Sequence, residues 1–393
     1  MKKSTKIRII IFEILIEIYK NNKNFDELFE TKIKLNKLNE QDRSFVYNIS
    51  INTMRYNLHS KKILKLFVKK KLKPAQYILL ISAITQLVFL KIKNYAVVFE
   101  TVEVAKKIGL YPAFINAVLK KIDQDKKKLE KIDINMEDFP MWFQDEIKKD
   151  DRLNLNLFFN SYFHESSLHV VFKSNKLIHF FKEKYELSSK DSAFIKSHKK
   201  VPELSNYDKG HWWVQNFSSM IPIKLCESPK NKDILDLCAA PGGKAFQLLS
   251  QNTQVLLNDK SKRRIKKLKE NLFRLNLSAI IKNYDALFFP ENKKFDLVII
   301  DAPCSSIGTV RSNPEIIFKN KAPDMKSLNE LQKNLLIKSS KILKTKGIIN
   351  YMVCSFFISE TIDPIQKFLN INKNFSILKY NYWPKEFEKK DFL

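Results

Sequence analysis

The sequence predicts an α/β protein whose C-terminal half is a doubly wound, mostly parallel sheet. An all-helical region and a small α+β subdomain precede it. Three observations carry this expectation. Residues 1 to about 130 place apolar residues three and four apart, with no alternating stretch, which is the period of amphipathic helices. From about residue 217, short apolar runs alternate with helical patterns, and repeated strand–helix units build parallel sheets covered on both faces. Between the two lies a region that mixes one alternating stretch with helical ones.

In the first region the segments "IRIIIFEILIEIYK", "RSFVYNISINTMRYNLHSKKILKLFV", "AQYILLISAITQLVFLK" and "AVVFETVEVAKKI" read as helices, with Pro74 and Pro112 at their breaks. Glu13 and Glu17 interrupt the first apolar stretch, so it reads as an amphipathic helix and not as a signal peptide. The charged run "DQDKKKLEKIDIN" (123–135) reads as a linker. Beyond it, 139–150 reads as a short helix, "SSLHVVFKSN" (166–175) as a strand and "KLIHFFKEKYEL" (176–187) as a helix. The expected domains are therefore 1–130, 136–210 and 211–393.

In the third domain "DILDLC", "QVLLND", "AIIKNYDA", "KFDLVIIDAP" and "KGIINYMVCS" read as successive strands, and "FSILKYNY" (375–382) as a sixth. Little chain follows for a seventh, so a six-stranded sheet is expected. The helices between them begin with "AFQLLSQ" and the basic "SKRRIKKLKENLFRLN". Ligands of such sheets bind outside the C-terminal strand ends.

The net charge of +28 points to a polyanionic partner such as nucleic acid. No apolar run approaches the roughly 20 residues needed to span a bilayer, which excludes a membrane-spanning role. The four cysteines, Cys226, Cys238, Cys304 and Cys354, have no C-x-x-C spacing, and the six histidines show no ligand spacing. No metal and no disulfide framework are expected, and a reducing cytoplasm is the expected compartment. Only 6 of 393 residues are glycine, against an average of ~7%, so those kept mark positions where backbone geometry requires them. Four of them, Gly242, Gly243, Gly308 and Gly347, follow residue 240.

Three features converge on the strand ends. The turn "AAPGGK" (239–244) follows the first strand, and its glycines would let a ligand approach the backbone. Asp259 ends the second strand, where a carboxylate can accept from two ribose hydroxyls, and Asp285 ends the third, within reach of an adenine edge. The turn lacks both G-x-G-x-x-G and the phosphate loop G-x-x-x-x-G-K-[ST]. Ribose and adenine acids without a phosphate cradle fit a nucleoside cofactor without a phosphate chain, of which S-adenosyl-L-methionine is the commonest. Cys304, in "DAPCSS", and Cys354, in "YMVCS", end two further strands. Methylation of cytosine carbon-5 needs a thiolate that adds to carbon-6, and an acid such as Asp301 to hold the amino and ring-nitrogen edge.

With these motifs the chain resembles the Sun-type family of RNA cytosine-5 methyltransferases, through "LDLCAAPGGKA", "DAPCSSIGTVRSNPE" and "YMVCS". Its front region, through "DRSFVYNISINTMRY", "ILLISAITQLVFLKIKNYAVVFETVEVAKKIG" and "FINAVLKKI", resembles the antitermination factor NusB and its relatives. The resemblance implies a Rossmann-like class I methyltransferase domain behind an all-α NusB-like RNA-binding domain and an RRM-like subdomain. It implies small-subunit ribosomal RNA as substrate, and the protein is expected to be a monomer. Cys354 would be the nucleophile and Cys304 would assist release of the methylated base. Cys238, Ala239, Ala240, Pro241, Gly242, Gly243, Lys244, Asp259, Arg264, Asp285 and Asp301 would line the cofactor site. The chain departs from the family pattern at Asn216, where Asp is usual, and at Val353, where Thr is usual. After the nucleophile it keeps only Glu360 of an acidic Glu-Asn-Glu, and it stops where the family continues into a final strand. Two rival functions follow from the same residues: a non-catalytic RNA-binding assembly factor, and a DNA cytosine methyltransferase attacking from the Pro-Cys position. Trp212 and Trp213 read either as base-stacking residues or as core, and Cys226 reads as core.

Overall fold

Among the described residues nine α-helices precede the first strand. They are α1 (Lys3–Asn21), α2 (Phe25–Asn36), α3 (Glu40–Arg55), α4 (Asn57–Phe67), α5 (Pro74–Ile84), α6 (Asn94–Lys107), α7 (Pro112–Leu129), α8 (Met141–Ile147) and α9 (Leu155–Tyr162). The structure, a computed structural model, describes residues 2–150, 153, 155–197, 199–226 and 232–379. The chain forms two compact units, one of residues 1–165 with 306–323, the other of 166–305 with 324–393.

The helical unit follows from its sequence pattern. Ile14, Leu15 and Ile18 of α1, Val46 and Ile49 of α3, Ile78 and Ile81 of α5, and Leu119 and Ile122 of α7 share one core, each buried side chain contributing about 1.5–3 kcal/mol. Asn24 and Asn39 cap α2 and α3, their side chains accepting from Glu27 N (3.1 Å) and Asp42 N (2.8 Å). Pro74 and Pro112 open α5 and α7, where the missing N–H costs nothing. Buried Glu100 ties α6 to α1, accepting from Ser4 and Thr5 at 2.7 Å each.

The second unit holds two sheets. The first is antiparallel in the order β2-β3-β1-β4, built from β1 (Leu168–Phe172), β2 (Lys184–Ser189), β3 (Ser192–Lys196) and β4 (Trp212–Val214). Here the structure corrects the expected helix over 176–187. Residues Asn175–Phe180 form a 3-10 turn, and the chain then enters β2. Lysine and glutamate in "KEKYEL" favour a helix, but backbone pairing to β3, with Tyr185 opposite Ile195, overrides that preference. Trp212 and Trp213 lie in β4 and are buried, so they are core residues.

After α10 (Phe217–Lys224) comes the second sheet, with β5 (Ile234–Asp236), α11 (Gly243–Leu249), β6 (Val255–Asn258), α12 (Lys262–Arg274), β7 (Ile280–Lys282) and β8 (Phe295–Asp301). The chain continues through α13 (Glu315–Phe318), α14 (Met325–Lys341), β9 (Leu343–Met352) and α15 (Ile362–Ile371). The five strands are parallel in the order β7-β6-β5-β8-β9. The order reverses beside β5, so a crevice opens at its C-terminal end. The expected sixth strand is not formed over 375–379, and its remainder lies outside the described residues.

Residues 306–323 belong to the helical unit although they directly follow Ser305. Phe318 on α13 joins the helical core and stacks edge-on against Tyr19 at 5.7 Å, and Asn320 N–H donates to Tyr19 O at 3.1 Å.

Candidate active site

Strand β5 ends at Asp236 and the chain turns through Leu237–Gly242 into α11. The turn is held by backbone and side-chain bonds. Ala239 N–H donates to Asn258 O (2.8 Å), and Ala240 N–H to Asp259 Oδ2 (3.2 Å). The Ala240–Pro241 bond is cis and Gly242 sits at φ 115°. A Cβ on Gly242 would lie 2.2 Å from Phe246 Cζ and 2.6 Å from Leu268 Cδ1. That glycine is thus required by the turn and by helix packing. A Cβ on Gly243 would meet nothing nearer than Gln215, at 3.5 Å.

Asp259 follows β6 and is 2% exposed. Its Oδ1 accepts from Ser261 N–H at 2.8 Å, the turn that starts α12, and Arg264 Nη1 lies 3.2 Å from its Oδ2. Arg264 also donates to Ala240 O, so Asp259 and the start of α12 are locked to the turn. Asp285 caps the 3-10 turn after β7, accepting from Leu287 N at 3.0 Å. Lys244 Nζ pairs with Asp301 Oδ2 at 2.5 Å. This bond joins the start of α11 to the end of β8.

Two residues that the motif reading did not single out complete this centre. Asn258, fully buried, donates to Leu237 O (3.0 Å) and Tyr284 O (3.1 Å) and accepts from Tyr284 N (3.0 Å). It therefore fixes the ends of β5, β6 and β7 relative to one another. Asp236 is fully buried and its Oδ1 has no hydrogen-bond partner. Burial first, and then the charge of Asp301, push its carboxyl up to about 7. It looked like one more member of a strand; only its neighbours across the sheet distinguish it.

The two cysteines meet. β8 and β9 pair with Asp301 opposite Met352, and Ala302 N–H donates to Met352 O at 2.9 Å. Three residues past Asp301 and two past Met352, Cys304 Sγ and Cys354 Sγ stand 3.3 Å apart. Cys354 is exposed and Cys304 half-buried. The other two thiols differ. Burial, and then the charge of Asp236, push Cys238 up to about 12. Cys226 accepts from Asn350 Nδ2 at 2.7 Å, packs on the core and is raised by burial.

Beneath the cysteines lies a buried carboxylate. Glu360 is 0% exposed. Its Oε1 accepts from Ser305 N–H (2.7 Å) and from Gln332 Nε2 (3.2 Å), and its Oε2 from Ser305 Oγ (2.5 Å). Gln332 Nε2 also donates to Pro303 O (3.0 Å), and Tyr351 OH to Glu360 O (2.8 Å).

Around the strand ends stand the acids Asp236, Asp259, Asp285 and Asp301, of which Asp301 pairs with Lys244 and Asp259 with Arg264. This donor and acceptor set, with an orphan acceptor at Asp236, fits a small ligand with cationic centres and hydroxyls better than a phosphate. Among the described residues no cluster of histidine, cysteine, aspartate and glutamate could hold a metal, and no helix is long and apolar enough to cross a membrane.

Comparison with known proteins gives a consistent result. Residues 224–390 match the family described as 16S rRNA methyltransferase RsmB/F, and residues 5–124 match the NusB family. The chain is 28% identical to the ribosomal RNA small subunit methyltransferase B of Photorhabdus laumondii, over 94% of this chain and 91% of that protein. It is 27% identical to a probable ribosomal RNA small subunit methyltransferase B of Bacillus subtilis, over 95% and 90%. In fold it is similar to the crystal structure of PH0851, with a TM-score of 0.72 at 21% identity, covering 98% of this chain and 94% of that one.

Proposed function

The chain belongs to the 16S rRNA methyltransferase RsmB/F family, with a NusB-family region ahead of its catalytic domain, and from that premise we propose that it methylates carbon-5 of a cytosine in small-subunit ribosomal RNA through a covalent cysteine adduct. S-adenosyl-L-methionine is the cofactor; when bound it supplies the electrophilic methyl group. The acidic strand ends suit its sulfonium and ammonium charges. Asp259 and Asp285 would hold its ribose and adenine, and the turn from Cys238 to Lys244 would line its path. Arg264, which now covers Asp259, would have to yield to the ribose.

The observation that carries the reading is the 3.3 Å approach of Cys304 and Cys354 at adjacent strand ends. Cys354, the exposed thiol, adds as thiolate to carbon-6, and the ring electrons shift to make carbon-5 nucleophilic. Asp301, steadied by Lys244, accepts from the exocyclic amino edge of the base. After carbon-5 is methylated a base takes its proton, the carbon-5–carbon-6 double bond re-forms and the bond to Cys354 breaks, releasing Cys354 as thiolate. Cys304 assists this last step. Residues 1–130 would serve RNA recognition, the sheet β2-β3-β1-β4 would be the core of the RRM-like subdomain expected over 136–210, and 211–393 would hold the chemistry.

The test is to incubate Cys354→Ala and Cys304→Ala with substrate RNA and S-adenosylmethionine and run denaturing gels. Cys304→Ala should trap a protein–RNA band, while Cys354→Ala should give neither a band nor methylation. The reverse pattern would make the Pro-Cys thiol the nucleophile, as in a DNA-type enzyme. Cofactor binding with no methyl transfer by the parent protein would favour a non-catalytic assembly factor.

A further inference from the structure

We propose that Glu360 is the positioning residue of the release thiol. It touches neither cofactor nor base, and it acts by fixing the loop that carries Cys304. Three donors converge on its carboxyl group: the backbone N–H and hydroxyl of Ser305, and the amide of Gln332. The same Gln332 amide holds Pro303 O, so the residues on both sides of Cys304 are tied to one buried group. Glu360 itself is anchored from the other cysteine's strand, through Tyr351 OH to its backbone oxygen. Ser305 Oγ also lies 3.4 Å from Ser355 Oγ, next to Cys354. The two cysteine loops therefore share one hydrogen-bonded centre, and the spacing of the thiols depends on it.

The chemistry of the site explains why this residue is a carboxylate. A side chain that only accepts can serve all three donors at once. Without it, the Ser305 N–H, the Ser305 hydroxyl and one Gln332 N–H lose the acceptor that Glu360 gives them, and the Pro303–Ser305 loop loses the group that fixes it. Cys354 lies on the other loop, so its attack is retained. The affected step is the one that needs Cys304 in register: loss of the carbon-5 proton with cleavage of the Cys354 Sγ–carbon-6 bond. A displacement of about 1 Å at a reacting group costs on the order of 100-fold in rate.

This inference rests on the proposed covalent mechanism, and the experiment separates the two. The full-length proteins Glu360→Ala, Glu360→Gln, Ser305→Ala and Cys304→Ala are compared for cofactor affinity, first-turnover methyl transfer, steady-state turnover and adduct on denaturing gels. Glu360→Ala should keep cofactor affinity and the first turnover, slow later turnovers about 10- to 100-fold and accumulate adduct. Glu360→Gln should fall between the parent and Glu360→Ala, because its amide oxygen still accepts from Ser305 N–H while its amide nitrogen adds a donor that the Ser305 hydroxyl must turn to accept. Ser305→Ala, which removes one donor and leaves the carboxylate, should show a smaller effect in the same direction. It decides the matter if Glu360→Ala does not fold. Loss of first turnover and cofactor binding together in Glu360→Ala, with no adduct in Ser305→Ala, overturns the positioning role. Adduct in Cys304→Ala but in neither Glu360→Ala nor Ser305→Ala overturns it while sparing the mechanism. No adduct in Cys304→Ala removes the mechanism and the inference with it.

Discussion

Asp236 is held in the fold with its carboxyl raised to about 7 from an ordinary 3.8, by burial and then by the neighbouring charge of Asp301. Because the folded value lies above the unfolded one, the protonated carboxyl favours the fold at low pH. Its contribution is complete below about pH 3.8, falls as pH rises and is gone above about pH 7. Asp236→Asn keeps the shape and removes the titration. Relative to the parent, the variant should gain stability as pH rises from about 4 to about 8, by on the order of a few kcal/mol. Melting temperatures across that range check this, and a constant offset between the two proteins would mean that Asp236 does not titrate there. A cation-bearing ligand beside Asp236 would lower its carboxyl again, so the same series with S-adenosylmethionine should show a smaller pH dependence.

At the scale of the element, the turn between β5 and α11 separates two glycines that look alike in "PGGK". Gly242 needs its positive φ and has no room for a Cβ beside Phe246 and Leu268. Gly242→Ala should cost about 2–5 kcal/mol in denaturant unfolding, from left-handed strain plus overpacking. Gly243→Ala should cost less than about 1 kcal/mol, so any loss of cofactor affinity in it would report a ligand passing close to that backbone. An equal loss of stability in both would refute the distinction. Much of this element was legible beforehand: an apolar run, a glycine turn and a helix announce themselves by local pattern, as do Cys304 and Cys354 at strand ends. The helix expected over 176–187 failed because strand pairing with residues 192–196 is not local. The role of Glu360 was hidden for a related reason. Its partners Ser305 and Gln332 lie 55 and 28 residues away, and no spacing rule links them.

At the scale of the whole molecule, the helical unit is not a continuous stretch of chain, since it takes back residues 306–323. Phe318 is 1% exposed there and Ile317 2%. A fragment of residues 136–393 lacks the helices that bury them. It should bind an apolar dye and aggregate more readily than the full chain, yet retain cofactor affinity, because Lys244, Asp259, Asp285 and Asp301 all lie in the other unit. Dye fluorescence as low as the parent's would show that 306–323 needs no helical partner. The same discontinuity sets a schedule for synthesis. Chains emerge from the ribosome at about 5–20 residues per second, so the first helix, with Tyr19, must wait roughly 15–60 seconds for Phe318, some 300 residues later, to close the core. During that interval the site around Tyr19 stands open to solvent and to chaperones.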